Sequence, residues 1–367
     1  MGLYLMGEIE SMQTIIDKYY AGERLSFEEG LALYEVDLFT LGKMADWRKQ
    51  KLYGNKVYFN INRHINPTNI CKDICKFCGF SANRKNPNPY AMTPDEVVTI
   101  VDGAVERGAK EIHIVSAHNP EVGYEWYFEM FTHIKKKYPE IHIKSLTAAE
   151  INFLAEEYNK SYDEVLQKMI DSGVDSIPGG GAEIFDEEVR DFICKGKVTS
   201  DQWLEIHELW HQKGRMSNAT MLFGHVEQRK DRIDHMLRLR DVQDRTNGFN
   251  AFIPLVYQKE NNYLKVENFP DATEILKTIA ISRIMLDNIP HIKAYWVTST
   301  INLAILACEF GADDLDGTIE KESISSASGA QSAHGTNMNT LIELAQTSGF
   351  TPVERDSLYN ELNIHSS

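Results

Sequence analysis

Long apolar runs are missing from this sequence. No stretch approaches the roughly eighteen consecutive apolar residues that a membrane-spanning helix needs. The opening residues, MGLYLMGEIESMQ, also lack the basic region followed by a long apolar region that marks a secretory signal. We therefore expect a cytoplasmic protein.

The sequence has fewer basic residues than acidic ones. The chain carries 38 Lys and Arg residues against 54 Asp and Glu residues, a formal net charge of −16. Such a chain repels nucleic acid and anionic membrane surfaces at long range, so we expect neither as a partner. The hydrophobic share of 43% and the charged share of 25% are typical of a globular protein with a large core. The expected partner is a small molecule, and any anionic group on it must be met by a local basic pocket.

Cysteine is scarce and unevenly placed. Five cysteines form an odd set in which three lie within eight residues, and this is not the pattern of a secreted disulfide framework. Cys194 and Cys308 stand alone in apolar segments, so we expect buried structural thiols there. The other three cysteines need a separate explanation.

The order of predicted elements favours one α/β domain. Residues 1–55 read as a helical N-terminal extension, and from residue 56 short β-rich runs alternate with amphipathic helices, a pattern that requires a parallel sheet. Eight such units predict a (β/α)₈ TIM-type barrel over residues 56–350, followed by a C-terminal tail over residues 351–367. The predicted strands cover residues 56–62, 111–117, 141–146, 174–178, 219–224, 251–257, 291–297 and 313–317.

One helix start is clearly marked. Thr93, Pro94 and Glu96 occupy the N-cap, first and third positions of a capping box. A helix is therefore predicted to begin at Pro94, just after the loop that carries the clustered cysteines.

The segment CKDICKFC follows the first predicted strand, at the end of a barrel where active sites lie. Cys71, Cys75 and Cys78 have the spacing C-x₃-C-x₂-C, which allows three thiolates to meet at one inorganic centre. A [4Fe–4S] cluster with three protein ligands keeps one iron open for a substrate or cosubstrate. The alternative is a structural zinc site in which His64 or another histidine supplies the fourth ligand.

This triplet, with Phe77 before the last cysteine, resembles the motif of the radical S-adenosylmethionine enzymes. The resemblance implies a [4Fe–4S] cluster whose open iron binds S-adenosylmethionine through its amino and carboxylate groups. It also implies reductive cleavage of the sulfonium to a 5′-deoxyadenosyl radical, and hence a low-potential electron donor such as flavodoxin or ferredoxin.

Six longer segments narrow the resemblance, namely RHINPTNIC, HIVSAHNP, IPGGGAEIF, MLFGHVE, HIKAYWV and GADDLDGTIEKE. Together they resemble the aminofutalosine synthases of menaquinone biosynthesis. In that family the radical adds to the enolpyruvyl alkene of 3-[(1-carboxyvinyl)oxy]benzoate, and aryl migration and decarboxylation give 6-amino-6-deoxyfutalosine. Two other classes stay open: a sister enzyme whose radical removes hydrogen, such as cyclic dehypoxanthine futalosine synthase or a deazaflavin synthase, and a non-catalytic zinc or iron–sulfur protein.

Several polar residues at predicted strand ends are candidate site residues. We expect three of them to contact the cofactor, namely Glu183, Ser116 and His225. Three others are expected to bind the dicarboxylate substrate, namely Arg63, His64 and Lys293. His118 and Asp316 are the candidate catalytic residues, although an internal ion pair between Lys293 and Asp316 is an equally open reading. Tyr295 and Trp296 are expected to pack in the core.

Overall fold

The computed structural model describes residues 12–366. Residues 12–20 are helical (α1), followed by α2 (Phe27–Ala32), a 3₁₀ turn (Leu33–Glu35) and α3 (Leu38–Tyr53). Asp37 caps α3 by accepting backbone N–H bonds from residues 39 and 40. Gly42 lets α3 lie against Phe310, because a Cβ there would come within 2.7 Å of the ring. The helical prediction is confirmed for the described part of this region.

Eight short strands follow the helical region. They pair in parallel as β2–β3–β4, as β5–β6–β7 and as β1–β8. Single parallel bridges link Lys144 to Ser176, Ile177 to Ser217, and Lys293 to Asp314. The strands are β1 (Lys56–Asn60), β2 (Asn62–Ile65), β3 (Glu111–Ile114), β4 (His142–Ser145), β5 (Ser217–Phe223), β6 (Phe249–Val256), β7 (His291–Ile292) and β8 (Asp314–Gly317).

Helices connect and cover these strands. The predicted capping box is confirmed, since Thr93 Oγ1 accepts the Glu96 N–H at 3.2 Å and Glu96 accepts the Thr93 N–H at 2.7 Å. In the described part of the chain, no helix has the length and apolar character to cross a membrane. The helices are α4 (Pro94–Glu106), α5 (Tyr124–Lys137), α6 (Ala148–Glu157), α7 (Tyr162–Asp171), α8 (Glu187–Cys194), α9 (Ser200–Gln212), α10 (Arg229–Thr246), α11 (Ala272–Met285), α12 (Trp296–Ser299), α13 (Ile301–Ala307), α14 (Ile324–Ala327) and α15 (Met338–Thr347), with a 3₁₀ turn at Cys308–Phe310.

The fourth and seventh predicted strands are shortened most relative to the sequence prediction. The fourth is reduced to bridges at Ser176 and Ile177, because Pro178 has no N–H to donate and a glycine run follows it. The seventh ends at Ile292, and Trp296 begins α12 instead. The indole of Trp296 is buried and donates a hydrogen bond to the Gly317 carbonyl at 3.0 Å, so its packing role is confirmed.

The segment predicted as a C-terminal tail contains two strands. β9 (Thr351–Arg355) pairs in parallel with β1, and β10 (Glu361–Ile364) pairs antiparallel with β9. Arg355 lies 2.5 Å from Asp314 in β8, with both side chains buried. Strand β9 does not read as an apolar strand because it contains Glu354 and Arg355, and the charge of Arg355 is compensated by Asp314.

The two isolated cysteines lie in the core. Cys194 ends α8 and Cys308 begins the 3₁₀ turn after α13, and both are buried free thiols. The prediction of buried structural thiols is confirmed for both residues.

Candidate active site

A cavity of about 310 Å³ lies where the parallel strands end and the following loops begin. Parallel α/β folds concentrate chemistry at this end of their strands. The loop with the three cysteines lines one part of the cavity, and charged side chains from the strands line another. Apolar residues of β5 and β6, namely Leu222, Ile253 and Leu255, contribute to a third part.

The cysteine loop brings all three clustered thiols to this cavity. Cys71, Cys75 and Cys78 are each half-buried and each line it. The Cys78 N–H donates to the Cys75 carbonyl at 3.2 Å, so the last two cysteines lie in one tight turn. Gly79 follows, and it approaches the Ala327 carbonyl so closely that a Cβ would lie 2.6 Å from that oxygen.

The donor set fits a metal centre. Burial raises the pKa of the Cys75 thiol well above its usual range, whereas a bound cation would stabilise the thiolate form. Three thiols on one cavity, with no fourth cysteine among its lining residues, match a centre that keeps one coordination position open. His64, the zinc ligand considered above, also lines the cavity, but it bonds to another histidine.

His118 lies against the cysteine loop. Its backbone N–H donates to Cys71 Sγ at 3.4 Å, and its Nδ1 lies 2.8 Å from an oxygen of Asp73. Its ring stacks on Phe153 at 5.2 Å. Burial alone would raise the pKa of the Asp73 carboxyl, but His118 lowers it overall. The imidazole is therefore held with Nδ1 toward a carboxylate.

Glu183 reaches the cavity through a strained backbone. It has a φ of 45° and follows the glycine run 179–181, in which a Cβ on Gly179 would lie 2.7 Å from the backbone of Ala219. Its carboxylate is 2.8 Å from Lys197 Nζ, and both side chains line the cavity. Burial works against ionisation, but Lys197 lowers the pKa of Glu183 below its usual value. Lys197 was not predicted, because a lysine in the polar segment CKGK reads as a surface residue.

Lys293 and Asp316 form an ion pair inside the cavity. Their side-chain atoms are 2.5 Å apart, and both residues are buried. Burial alone would raise the pKa of Asp316, whereas Lys293 lowers it strongly. His64 Nε2 lies 4.0 Å from the second Asp316 oxygen and 3.2 Å from His113 Nδ1. Three of the predicted residues thus meet at one place, and the Lys293–Asp316 pair exists as the sequence suggested.

A second buried ion pair was not predicted. Lys144 of β4 lies 2.7 Å from Glu111 of β3, and Lys144 lines the cavity. The run IHIKSL was read only as a strand, although a lysine within an otherwise apolar strand is the signal that would have found this pair.

Of the remaining predicted residues, one lines the cavity and two do not. Ser116 lines the cavity, and its N–H donates to Glu150 at 2.7 Å. Arg63 instead lines a neighbouring cavity of about 430 Å³, with Glu320 3.9 Å away. The His225 side chain is fully buried between the Leu222 carbonyl and Glu227, outside the lining of the first cavity. Cofactor binding by His225 and substrate binding by Arg63 therefore stay predictions without support from these contacts.

Comparison with known proteins assigns the chain to a family. The profile of the radical SAM superfamily matches residues 65–239, and that of the CofH/MqnC C-terminal region matches residues 246–367. The chain is 39% identical to the aminodeoxyfutalosine synthase of Thermus thermophilus over 355 residues, which cover 95% of each protein. The chain belongs to the radical SAM superfamily. The chain is also 38% identical to the cyclic dehypoxanthine futalosine synthase of Streptomyces coelicolor, and the match covers 98% of this chain and 91% of that protein.

The fold agrees with this assignment. The crystal structure of methylornithine synthase matches with a TM-score of 0.73 at 18% identity, covering 92% of this chain and 97% of that one. The fold is therefore TIM-like α/β. Radical SAM proteins hold a [4Fe–4S] cluster through three cysteines and use S-adenosylmethionine, and the triplet at 71, 75 and 78 supplies those ligands here.

Proposed function

We propose that this radical SAM protein is an aminodeoxyfutalosine synthase. It joins the 5′-deoxyadenosyl group of S-adenosylmethionine to the enolpyruvyl alkene of 3-[(1-carboxyvinyl)oxy]benzoate. Aryl migration and loss of one carboxylate then give 6-amino-6-deoxyfutalosine, a precursor in menaquinone biosynthesis. The observation that carries the proposal is that one cavity is lined both by the loop with the three thiols and by buried lysines, which suit a dicarboxylate substrate.

The residues that line the cavity have different proposed roles. Cys71, Cys75 and Cys78 would hold the cluster, which when bound supplies the electron that releases the 5′-deoxyadenosyl radical from S-adenosylmethionine. Glu183, fixed by Lys197, is placed to accept hydrogen bonds from the ribose or the amino group of that cosubstrate. Ser116 lies on the same cavity and completes the proposed cofactor contacts.

Other residues serve the second substrate. The buried Lys293–Asp316 pair and His64 provide fixed hydrogen-bonding contacts for its oxygen atoms. His118 can hold a proton at Nδ1 against Asp73 beside the cysteine loop. The apolar residues of β5 and β6 exclude water from the place where a reactive carbon radical must meet the alkene.

We propose further that the parallel strands close into a (β/α)₈ barrel, in which β1 and β2, separated only by Ile61, form the first strand and residues 176–177 stand at the place of the fourth. The support is a continuous series of contacts, in which bridges connect β4 through residues 176 and 177 to β5, and β7 to β8, while β8 pairs with β1. The helical region, described over residues 12–53, then precedes a barrel that occupies residues 56–350. A flavodoxin or ferredoxin in the cytoplasm is the proposed electron donor.

The test is a product assay. Reduced protein is incubated anaerobically with S-adenosylmethionine and the enolpyruvyl benzoate, and the product mass is measured. We expect a covalent adenosyl adduct that has lost one carboxylate. Release of 5′-deoxyadenosine without an adduct would overturn the proposal and favour a hydrogen-abstracting enzyme, the second candidate, which the similarity to cyclic dehypoxanthine futalosine synthase supports. A colourless protein that contains zinc and no sulfide would favour a non-catalytic role.

A further inference from the structure

One row of side chains crosses the three neighbouring strands β2, β3 and β4. His64 of β2 is in register with His113 of β3, and His113 is in register with Lys144 of β4. All three line the cavity. Glu111, two residues before His113 on the same strand, points to the same side and meets Lys144 at 2.7 Å.

Lys144 is unusual for a lysine because its side chain is only 4% exposed. Burying an ammonium group is costly unless charge and hydrogen bonds compensate it. Glu111 supplies one carboxylate, and within residues 12–366 no second carboxylate lies within ion-pair distance of Lys144. An ammonium has three N–H donors, so Lys144 keeps donor capacity on a cavity that its side chain lines.

The cavity also has an apolar part, in contrast to this polar row. Leu222, Ile253 and Leu255 from β5 and β6 line it without polar side-chain atoms. A flat aromatic ring fits such a surface, and a carboxylate on the ring edge fits the Lys144 ammonium of the row. The cavity thus suits an aryl carboxylate.

The chemistry separates the two carboxylates of the proposed substrate. One leaves as carbon dioxide, and a firm ion pair to it would stabilise the starting state and oppose its loss. The carboxylate on the benzene ring survives the reaction, so an ion pair to it costs nothing in the decarboxylation step. A buried lysine with a fixed counter-ion therefore suits the ring carboxylate.

We propose that Lys144 binds the ring carboxylate of the aryl substrate, and that Glu111 is a positioning residue that holds the Lys144 ammonium in place. This inference rests on the proposed function for the identity of the substrate. It assigns to Lys144 the selection of benzoate-type substrates over aryl ethers without the ring carboxylate.

The test compares two substrates in the cluster-loaded enzyme. One is the full enolpyruvyl benzoate, and the other is the enolpyruvyl ether of phenol, which lacks the ring carboxylate. In Lys144→Met we expect the KM for the full substrate to rise at least tenfold, with the KM for the phenol analogue unchanged. Equilibrium binding of the full substrate, measured without reductant, should weaken by the same factor. Lys168→Met removes a lysine that pairs with Glu125 on the helical surface and should change neither value.

A second variant guards against misfolding. Lys144→Met leaves Glu111 buried without its partner, so the double variant Lys144→Met/Glu111→Gln is measured beside it. Unchanged binding of the full substrate to either folded variant would overturn the inference, as would an equal loss for both substrates. The proposed function is judged separately, by whether the wild-type enzyme forms the adenosyl adduct.

Discussion

Removal of the Arg355 guanidinium should destabilise the protein strongly. In Arg355→Met, the Asp314 carboxylate loses a partner 2.5 Å away, and neither side chain is more than 1% exposed. The other Asp314 oxygen accepts the Asp316 N–H at 2.5 Å, so the buried carboxylate also supports the backbone of the cavity. Because water cannot replace the guanidinium there, we expect the free energy of unfolding to fall by about 3–5 kcal/mol.

Equilibrium urea denaturation of the cluster-loaded protein, followed by far-ultraviolet circular dichroism, measures this loss. The control is Arg245→Met, which breaks a pair with Glu208 at 2.8 Å on the surface and should cost less than about 1 kcal/mol. The double variant Arg355→Met/Asp314→Asn removes both charges and should recover much of the stability, because no uncompensated charge stays buried. A loss for Arg355→Met no larger than that of the surface control would refute the reasoning.

Three further changes have defined outcomes. Cys78→Ala should abolish the brown chromophore and product formation together, and iron and sulfide analysis checks this; normal turnover in that variant would contradict the cluster assignment. Glu183→Gln should raise the KM for S-adenosylmethionine about tenfold and leave that of the aryl substrate nearly unchanged, because a charged acceptor is lost from the cofactor side; equal changes in both would count against this role. Burial lowers the pKa of His211 to about 4, so the stability that its neutral form contributes is complete above about pH 6.5 and is lost as the pH falls toward 4. Between pH 7 and pH 5 the His211→Gln protein should therefore lose about 2 kcal/mol less stability than the wild type in urea titrations, and an equal loss in the two proteins would contradict this reasoning.

Much of the fold could be predicted because β-rich runs and amphipathic helices leave periodic patterns. Seven of the eight predicted strands overlap observed strands, and the helix start at Thr93 is where its capping box indicates. The early end of β7 could not be predicted, because the residues after Lys293 are also apolar. They are apolar because they pack in α12, and not because they continue the strand. The pairing of β9 with β1 depends on contacts that local sequence does not encode.

The candidate site was predictable where chemistry imposes a spacing. The cysteine triplet is such a case, and the ion pair of Lys293 with Asp316 followed from a charge in an apolar strand. Lys197 was missed because only the folded chain brings Glu183 near it. Lys144 was missed although a lysine within an apolar strand was a signal that the sequence did carry. Cofactor binding by His225 stays a prediction, and its side chain shows that a polar residue at a strand end can be fully buried with partners of its own.

The pairing of β1 with β9 also bears on how the chain is made. Lys56 pairs with Thr351, so one side of this early strand finds its neighbour only after nearly all of the polypeptide has left the ribosome. Until then β1 presents unpaired backbone groups to other nascent chains, which is the circumstance in which chaperones are needed. A stop codon before residue 351 would therefore leave an open sheet edge, and the shortened product should aggregate although every cysteine ligand is present.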